Sequence, residues 1–359
     1  MDKSIMAALE ASPSAMLVVK DGKITHFNSL AAELFGCRKN ASPVGIIPDY
    51  LLAEKTENFV SSTTIRDKCY LVRVVSQDGE RYFSLEPKAS ASLSTELISD
   101  SLLSRMLSTL FNIGLSADRI ALSIPENDSR AENYLSILNH NYFSMRHALT
   151  NISTSIALKK NTLPFNFQVA DLHSLCSELC ATTAIMCRSR KLDIRFSSSL
   201  KELYAWVDSE KVERIILNLL SNAIANTPTG GSVCLGLEKR GDKAYISVDD
   251  TGKGIPPAIM AKIFNAYERE PDLSEMADFG GGLGLGIAQG LAEAHDGALI
   301  IESREGKGTS VRLMLPLKSE YFNLLESPVP PYFNSGMLMI LTQLSEVLDK
   351  ESYDKKFRG

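Results

Sequence analysis

A run with five glycines in seven residues, Gly280-Gly281-Gly282-Leu283-Gly284-Leu285-Gly286, constrains this chain more than any other stretch. Glycines leave the backbone N–H groups uncovered by side chains, so phosphate oxygens can approach them. A helix from Leu285 onward would direct its positive N-terminal end at the same anion. We therefore interpret Gly282, Gly284, Leu285 and Gly286 as part of a nucleotide-phosphate site. The P-loop and the dinucleotide fingerprint are not present in a usable context.

A second segment, Glu213 to Ala223, contains two asparagines four residues apart. At that spacing on a helix, the amides of Asn218 and Asn222 lie side by side on one face. A carboxamide oxygen is a neutral, hard ligand that suits a Mg²⁺ ion already bound to triphosphate oxygens. Taken alone, two asparagines on a helix are more often plain surface residues. The other segments, which occur with this one in a fixed order, favour a role in binding a ligand.

A third segment, Val248 to Pro256, follows a predicted strand with the pattern D-x-G-x-G. A buried carboxylate at the end of a strand can accept a hydrogen bond from the amino group of adenine, and Asp250 is our adenine-reading residue. Gly252 and Gly254 would let the backbone approach the base without a Cβ in the way. This pattern alone is weak, because glycine-rich turns after strands are common.

Two further segments complete the set. Ile263 to Arg269 opens a polar, acidic stretch up to Phe279, which we interpret as a mobile lid over the nucleotide. Arg269 is a candidate phosphate contact. Near the end of the region, Gly306-Lys307-Gly308-Thr309 follows on a predicted strand pair, and Thr309 is a candidate second contact to the adenine region.

In this order, the segments resemble the N box, the D-x-G-x-G box, the F box, the G-x-G-L-G-L box and the terminal G-x-G-T element of sensor histidine kinases. The resemblance implies a Bergerat-type ATP-binding domain over residues 165–318. It makes Asn222 the ligand of a Mg²⁺ ion that comes with ATP, and it makes Asn218 a catalytic residue that supports Asn222.

The resemblance also bears on the reaction. Type II topoisomerases, Hsp90 chaperones and mismatch-repair ATPases share the domain type and hydrolyse ATP with a carboxylate base near the position of Asn218. An amide cannot take a proton from water, so phosphoryl transfer to a protein side chain is favoured here over hydrolysis. The chain departs from the family's N box at Ala225 and Asn226, where a lysine and an aromatic residue are common. The missing lysine should weaken nucleotide binding or slow transfer.

Residues 1–90 show short apolar runs between turn signals. The turn Asp21-Gly22 between two strand-like runs predicts a β-hairpin, and Gln77-Asp78-Gly79 predicts a second one. The order of helix, hairpin, helices and antiparallel strands resembles a PAS sensor domain. Another small α+β module is the alternative.

Residues 97–160 contain two helical stretches in which apolar residues recur at regular spacing. The apolar positions step by three and four: Leu103, Met106, Leu110, Ile113, Ala117 and Ile120, then Leu135, Leu138, Tyr142, Met145, Leu149, Ile152 and Ile156. Two such helices form an antiparallel hairpin whose apolar seam one hairpin alone cannot bury. We therefore expect a homodimer that forms a four-helix bundle, as in the dimerisation domain of histidine kinases.

A histidine kinase needs a histidine that accepts the phosphoryl group, and the usual motif is absent here. The best match to the family's H-E-L-R-T-P-L begins at Ser101, and Leu102 replaces the acidic neighbour. On the second helix, His140 and His147 fall in a register that faces solvent, away from the seam. We take His140 as the candidate acceptor, ahead of His147 and of Ser101, whose hydroxyl lacks a base. By the resemblance, His295 at a helix end is structural.

Charge and hydropathy disfavour two other classes of protein. The net charge of −5 and the pI of about 5.7 argue against a nucleic-acid binder, which usually has a basic stripe. No apolar run reaches the roughly 18–20 residues that span a bilayer, and the N-terminus lacks the apolar stretch of a signal peptide. We therefore expect a cytoplasmic protein. Residues 319–359 form a tail with a short amphipathic helix, to which the sequence assigns no role.

These patterns predict an α+β multidomain protein with a PAS-like α/β domain, an antiparallel helical hairpin and an α/β sandwich ATP-binding domain. The expected function is that of a cytoplasmic sensor histidine kinase, which binds Mg-ATP, autophosphorylates on histidine and phosphorylates a response regulator. The alternative is a degenerate kinase, an ATP-binding regulatory protein without phosphotransfer. A serine kinase of the anti-sigma type shares the ATP domain but normally lacks the hairpin.

Overall fold

A computed structural model describes residues 9–10, 12, 14–53, 58–65, 68–77, 79–87, 100–123, 128–256, 260, 283–318 and 336–353. The N-terminal part is an antiparallel sheet with two short helices: β1 (Ala15–Lys20), β2 (Lys23–Phe27), α1 (Ser29–Phe35), α2 (Asp49–Ala53), β3 (Asn58–Ile65), β4 (Lys68–Gln77) and β5 (Glu80–Pro87). Asp21 and Gly22 have φ of 48° and 71° in the turn between β1 and β2. Such positive φ values fit the twist of a hairpin, and the predicted hairpin is confirmed.

The middle part is a pair of long helices, α3 (Asp100–Ser123) and α4 (Ser129–Lys159). Alternate members of each predicted apolar series are at most 9% exposed: Leu103, Leu110, Ala117, Leu135, Tyr142 and Leu149. Five intervening members are 36–52% exposed: Met106, Ile113, Ile120, Leu138 and Met145. Towards the end of the second series, Ile152 and Ile156 are both partly buried. One chain thus buries one half of the seam and leaves the other half open.

The third part pairs a sheet with helices: β6 (Gln168–Asp171), α5 (Leu172–Met186), β7 (Asp193–Ser198), β8 (Tyr204–Val207), α6 (Ser209–Asn226), β9 (Ser232–Arg240), β10 (Lys243–Asp250), α7 (Leu283–Ala294), β11 (Ala298–Arg304) and β12 (Gly308–Pro316). Aspartates cap two of the helices, because Asp171 and Asp208 accept hydrogen bonds from the first backbone N–H groups of α5 and α6. All three helices join one apolar core with the strands.

The sheets of the first and third parts are continuous. Strand β3 pairs antiparallel with β11, and the resulting ten-stranded sheet has the order β2-β1-β5-β4-β3-β11-β12-β10-β9-β7. Ser61 Oγ donates to Leu299 O at 2.8 Å, and Ser62 Oγ donates to Glu293 Oε1 at 2.9 Å. These bonds satisfy polar groups that the junction buries.

The described residues of the tail pack against helices of the middle and third parts. Its helix α8 (Gly336–Gln343) is followed by a short 3-10 turn (Lys350–Tyr353). Both lie against α4, and α8 also contacts α6. Six apolar side chains of the tail are at most 4% exposed: Ile340, Leu341, Leu344, Val347, Leu348 and Tyr353.

Candidate functional site

Asp250 lies at the end of β10 and is held in place by the backbone around it. Its Oδ1 accepts hydrogen bonds from the N–H groups of Gly252 at 2.8 Å and Thr309 at 3.2 Å. Burial raises the pKa of Asp250, although these two hydrogen bonds oppose the shift. Within the described part of the chain, Oδ2 makes no hydrogen bond, so one carboxylate oxygen remains to accept a donor from a ligand.

Three glycines near Asp250 allow backbone segments to meet. A Cβ on Gly252 would lie 2.4 Å from Asn226 O, and one on Gly254 would lie 2.2 Å from Arg304 O. At Gly308, whose φ is +96°, a Cβ would lie 1.9 Å from Asp250 O. The sequence suggested that Gly252 and Gly254 make room for a base; in the structure, the atoms they make room for belong to neighbouring backbone.

Thr309 acts on Asp250 through its backbone, while its hydroxyl pairs with a residue that the motifs did not reveal. Thr309 Oγ1 lies 2.8 Å from Ser303 Oγ, which also accepts a hydrogen bond from Ile255 N at 2.8 Å. Ser303 therefore fixes the loop after Asp250. The signal that could have found it is its place three residues before Gly306, opposite Thr309 in the predicted strand pair.

The two N-box asparagines lie on α6, as the helical spacing predicts. Asn218 is 3% exposed, and its Nδ2 has no hydrogen-bond partner among the described residues. Its Oδ1 would lie 3.5 Å from a Cβ on Gly284, so the N box and the glycine-rich run face each other. Asn222 is half-buried, one turn further along. A buried amide without a partner is unusual in folded proteins and fits a polar ligand.

The glycine-rich run leads into a helix as predicted, and α7 begins at Leu283. Gly284 and Leu285 are half-buried in its first turn, and Gly286 is buried. The first turn leaves backbone N–H groups free for an anion. Gly282 lies outside the described residues, as do Arg269 and the predicted lid.

The departures from the N box have structural consequences. Ala225 is exposed. Asn226 Nδ2 donates to Asn222 O at 2.8 Å, and Asn226 O accepts from Lys253 N at 3.2 Å. Asn226 thus ties the end of α6 to the loop that carries Gly252 and Gly254, a role that the motif did not suggest.

His295 is held between two elements in a neutral state. Its Nδ1 lies 2.7 Å from Leu291 O, and its Nε2 lies 3.1 Å from Asp208 N. A backbone N–H must donate and a carbonyl must accept, so the proton is on Nδ1. Burial lowers the pKa of His295, against the opposing effect of its hydrogen bond to Leu291. Both nitrogens are occupied, which agrees with the structural role expected for this residue.

The expectation that His140 and His147 face solvent needs correction. His147 is 6% exposed, with Asn151 Nδ2 at 2.9 Å from its Nε2 and Glu346 Oε1 at 3.5 Å from its Nδ1. His140 is half-buried, with the ring of Tyr353 edge-on at 5.6 Å. The tail, through Tyr353 and Glu346, packs against the part of α4 that carries both histidines. The motif position Ser101 lies in the first turn of α3.

Comparisons with known proteins agree with this geometry. The family model described as histidine kinase-, DNA gyrase B- and HSP90-like ATPase matches residues 207–319, and a PAS-domain model matches residues 4–66. These ranges contain the N box, Asp250, the glycine-rich run and the first hairpin. The chain therefore has an ATP-binding domain of this type and a PAS domain.

Individual relatives are sensor kinases. The sensor histidine kinase RppB of Synechocystis sp. is 32% identical over 171 residues, which are 48% of this chain and 38% of RppB. The sensor histidine kinase WalK of Bacillus subtilis is 37% identical over 123 residues, which are 33% of this chain and 20% of WalK. The chain thus spans less than half the length of these two relatives.

Among solved structures, full-length ShkA in complex with AMPPNP matches with a TM-score of 0.50 and 21% identity, over 60% of this chain and 44% of ShkA. That likeness concerns the fold alone. Within the described ranges, no helix is both long and apolar enough to cross a membrane. In its ATP-binding and PAS regions, the chain is therefore similar to bacterial sensor histidine kinases.

Proposed function

We propose that this chain binds Mg-ATP between α6, the end of β10 and the start of α7, and transfers the γ-phosphoryl group to a histidine. The observation that carries the proposal is the meeting of three motif segments: Asn218 faces Gly284 across the helix pair, and Asn226 and Gly308 contact the loop around Asp250. In this arrangement Asp250 would accept a hydrogen bond from the adenine amino group, and the first turn of α7 would bind phosphate oxygens.

The side chains fit a Mg²⁺ ion that is bound jointly with the nucleotide. Among the described residues, no group of three His, Cys, Asp or Glu side chains could hold a metal by itself. The neutral amides of Asn218 and Asn222 leave the charge of the ion to be balanced by phosphate oxygens, which Mg²⁺ prefers. Asn222 would ligate the ion, and Asn218 would orient it and the triphosphate. The ion would supply electrostatic stabilisation of the transferred group.

The acceptor that we propose is His140. In the transfer, a lone pair of a neutral imidazole nitrogen forms a bond to the γ-phosphorus and the bond from that phosphorus to the β–γ bridging oxygen breaks. ADP leaves with the electron pair, and the imidazole loses the proton of its other nitrogen to solvent. Asn218 cannot act as a base towards water, which favours this transfer over hydrolysis. Both nitrogens of His147 have partners, so it is a weaker candidate.

We further propose that a second copy of the chain covers the open half of the hairpin seam. The exposed residues Met106, Ile113, Ile120, Leu138 and Met145 recur at the spacing of a coiled-coil seam. Exposed apolar rows of this kind are uncommon on monomeric proteins and mark association sites. Two hairpins would then form a four-helix bundle. The dimer would pass the phosphoryl group to an aspartate of a response regulator in the cytoplasm, where ATP and Mg²⁺ are supplied, under control of the PAS domain.

The test is incubation with γ-labelled ATP and Mg²⁺ of the wild-type chain, His140→Ala and Asn222→Ala. Asn222 takes part in binding the metal and the triphosphate, so its variant should lose the label together with His140→Ala. Label on a histidine is lost in acid, whereas label on a serine survives. No label in the wild-type chain, nor in Tyr353→Ala, which lacks the ring that lies against His140, with ATP still bound in calorimetry, would refute the transfer and leave the degenerate kinase as the account of the chain.

A further inference from the structure

The C-terminal segment, residues 336–353, bridges two parts of the molecule. Its apolar side chains join the same core as α4 and the ATP-binding domain. Arg190 Nε, just after α5, donates to Val347 O at 2.9 Å, and Ser352 Oγ donates to Met186 O at 3.2 Å. The segment is therefore attached to the ATP-binding domain as well as to the hairpin.

Tyr353 is a buried aromatic contact between this segment and α4. It is 1% exposed and stacks on Phe143, with ring centroids 5.3 Å apart and an interplanar angle of 25°. The ring of His140 lies edge-on to that of Tyr353, with the ring centroids 5.6 Å apart. His140 Nδ1 is buried without a hydrogen-bond partner among the described residues. The segment thus lies directly against the candidate acceptor and covers part of it.

A chain of polar contacts runs from the segment through α4 into the N-box helix. Glu346 Oε1 lies 3.5 Å from His147 Nδ1, and Asn151 Nδ2 lies 2.9 Å from His147 Nε2. Asn151 Oδ1 in turn accepts from Arg214 Nη2 at 2.9 Å. Because Asn151 donates through its nitrogen, His147 accepts on Nε2 and carries its proton on Nδ1, towards Glu346. His147, Asn151 and Arg214 are all buried, so each link depends on the next.

The same contacts fix where the nucleotide site lies along α4. Arg214 donates through Nη1 to Thr154 Oγ1 and through Nη2 to Thr150 O, and it lies one helical turn before Asn218. His140 precedes Thr154 by fourteen residues, which is about 21 Å along a helix axis at 1.5 Å per residue. The anchored N box is thus far from the covered histidine, and transfer to it requires the ATP-binding domain to move along α4.

We propose that residues 336–353 are a detachable clasp that holds the ATP-binding domain on α4 and covers His140, so that the clasp must be released before His140 can accept a phosphoryl group. The part concerning the acceptor rests on the proposed function; the covering of His140 does not. Seventeen residues separate Lys318 from Gly336, enough to reach about 55–60 Å when extended. The covalent connection therefore permits release.

The experiment measures carbethoxylation of His140 by diethyl pyrocarbonate in the full chain, read by mass spectrometry with His173 as the internal reference. The variants are Tyr353→Ala and the control Leu338→Ala, an exposed apolar residue of the same segment. In Tyr353→Ala, the reactivity of His140 relative to His173 should rise roughly tenfold, as expected when one buried aromatic contact is removed. In Leu338→Ala it should match the wild-type chain.

A second variant, Glu346→Gln, keeps the apolar packing and weakens only the polar chain, so it should raise the reactivity of His140 by a smaller factor. Thermal melts show whether each variant is folded. Equal reactivity of His140 in all folded variants, or an equal rise in Leu338→Ala, overturns the clasp. Labelling with ATP separates the two proposals: higher reactivity with faster labelling supports both, whereas higher reactivity without label supports the clasp and refutes His140 as acceptor.

Discussion

Asp250→Asn is the substitution that isolates adenine recognition. Asparagine is nearly isosteric, and its amide oxygen can still accept the hydrogen bonds from Gly252 N and Thr309 N. The change replaces the free carboxylate oxygen by an NH₂ group, which would face the adenine amino group as donor against donor. A buried hydrogen bond to a charged acceptor contributes about 1.5–3 kcal/mol. The dissociation constant of ATP should therefore rise about 10- to 150-fold.

The assay is calorimetric titration with a non-hydrolysable ATP analogue and Mg²⁺. The matched control is Asp249→Asn, the preceding residue of β10, whose carboxylate accepts from Ser247 Oγ at 3.0 Å. Successive strand residues point to opposite faces, so this variant should bind like the wild-type chain. Binding by Asp250→Asn within about twofold of wild type, a difference of roughly 0.4 kcal/mol, would refute the assignment of the adenine site.

The pH dependence of stability and of ATP binding gives a second test of the role of Asp250. Burial raises the pKa of Asp250 in the folded chain above its unfolded value, so the folded state holds the proton more tightly. The ligand-free folded state therefore loses stability as the pH rises from the unfolded pKa of Asp250 through its raised folded pKa. For the same reason, Asp250→Asn should melt at the same or a higher temperature than wild type at pH 7. ATP affinity of the wild-type chain should fall as pH drops through the raised pKa, and in Asp250→Asn this dependence should be absent.

Three further predictions follow from the structure. His295→Leu leaves Asp208 N and Leu291 O unpaired, which should cost about 2 kcal/mol or more of unfolding free energy, measured by denaturant titration. Because burial lowers the pKa of His295 below its unfolded value, wild-type stability should fall as pH drops below about 6.5, and the variant should lack this part of the pH dependence. Met145→Lys puts a charge on the open half of the seam and should shift the chain from dimer to monomer in light scattering. Gly308→Ala brings a Cβ to 1.9 Å from Asp250 O, so it should lower the melting temperature and abolish ATP binding.

Gly308→Ala has a control that is matched in chemistry. Gly306→Ala has a positive φ of +74° but no atom within 4 Å of the new Cβ, so it should cost only about 1–2 kcal/mol of backbone strain. Equal effects at the two glycines would contradict the close packing around Asp250. A monomeric wild-type chain, or a Met145→Lys chain that stays dimeric, would contradict the four-helix bundle. Unchanged stability of His295→Leu would contradict the bridging role of the imidazole.

The parts of the site that could be predicted from sequence depend on short-range geometry. The i, i+4 spacing of Asn218 and Asn222 places them on one helical face wherever the helix lies. Likewise, the turn at Asp21 and Gly22 adopts a local backbone conformation that reflects the sequence directly. The register of the strand pair around Gly306 would also have placed Ser303 beside Thr309.

The parts that could not be predicted depend on contacts between distant residues. Tyr353 meets Phe143 across more than two hundred residues of sequence, and no periodicity in either segment indicates the other. For that reason the face of α4 that carries His147 has a surface-like register and is nevertheless buried. The pairing of β3 with β11 has the same origin, because an unpaired strand edge can accept any suitable partner.

The central claim is that a histidine of this chain accepts a phosphoryl group from Mg-ATP, and mass spectrometry at neutral pH after incubation with Mg-ATP tests it most directly. We predict an acid-labile phosphate on the peptide that contains His140, in a larger amount in Tyr353→Ala than in wild type and absent in Asn222→Ala. An acid-stable phosphate on a serine, or no phosphate in either folded chain while ATP binds, would contradict the account.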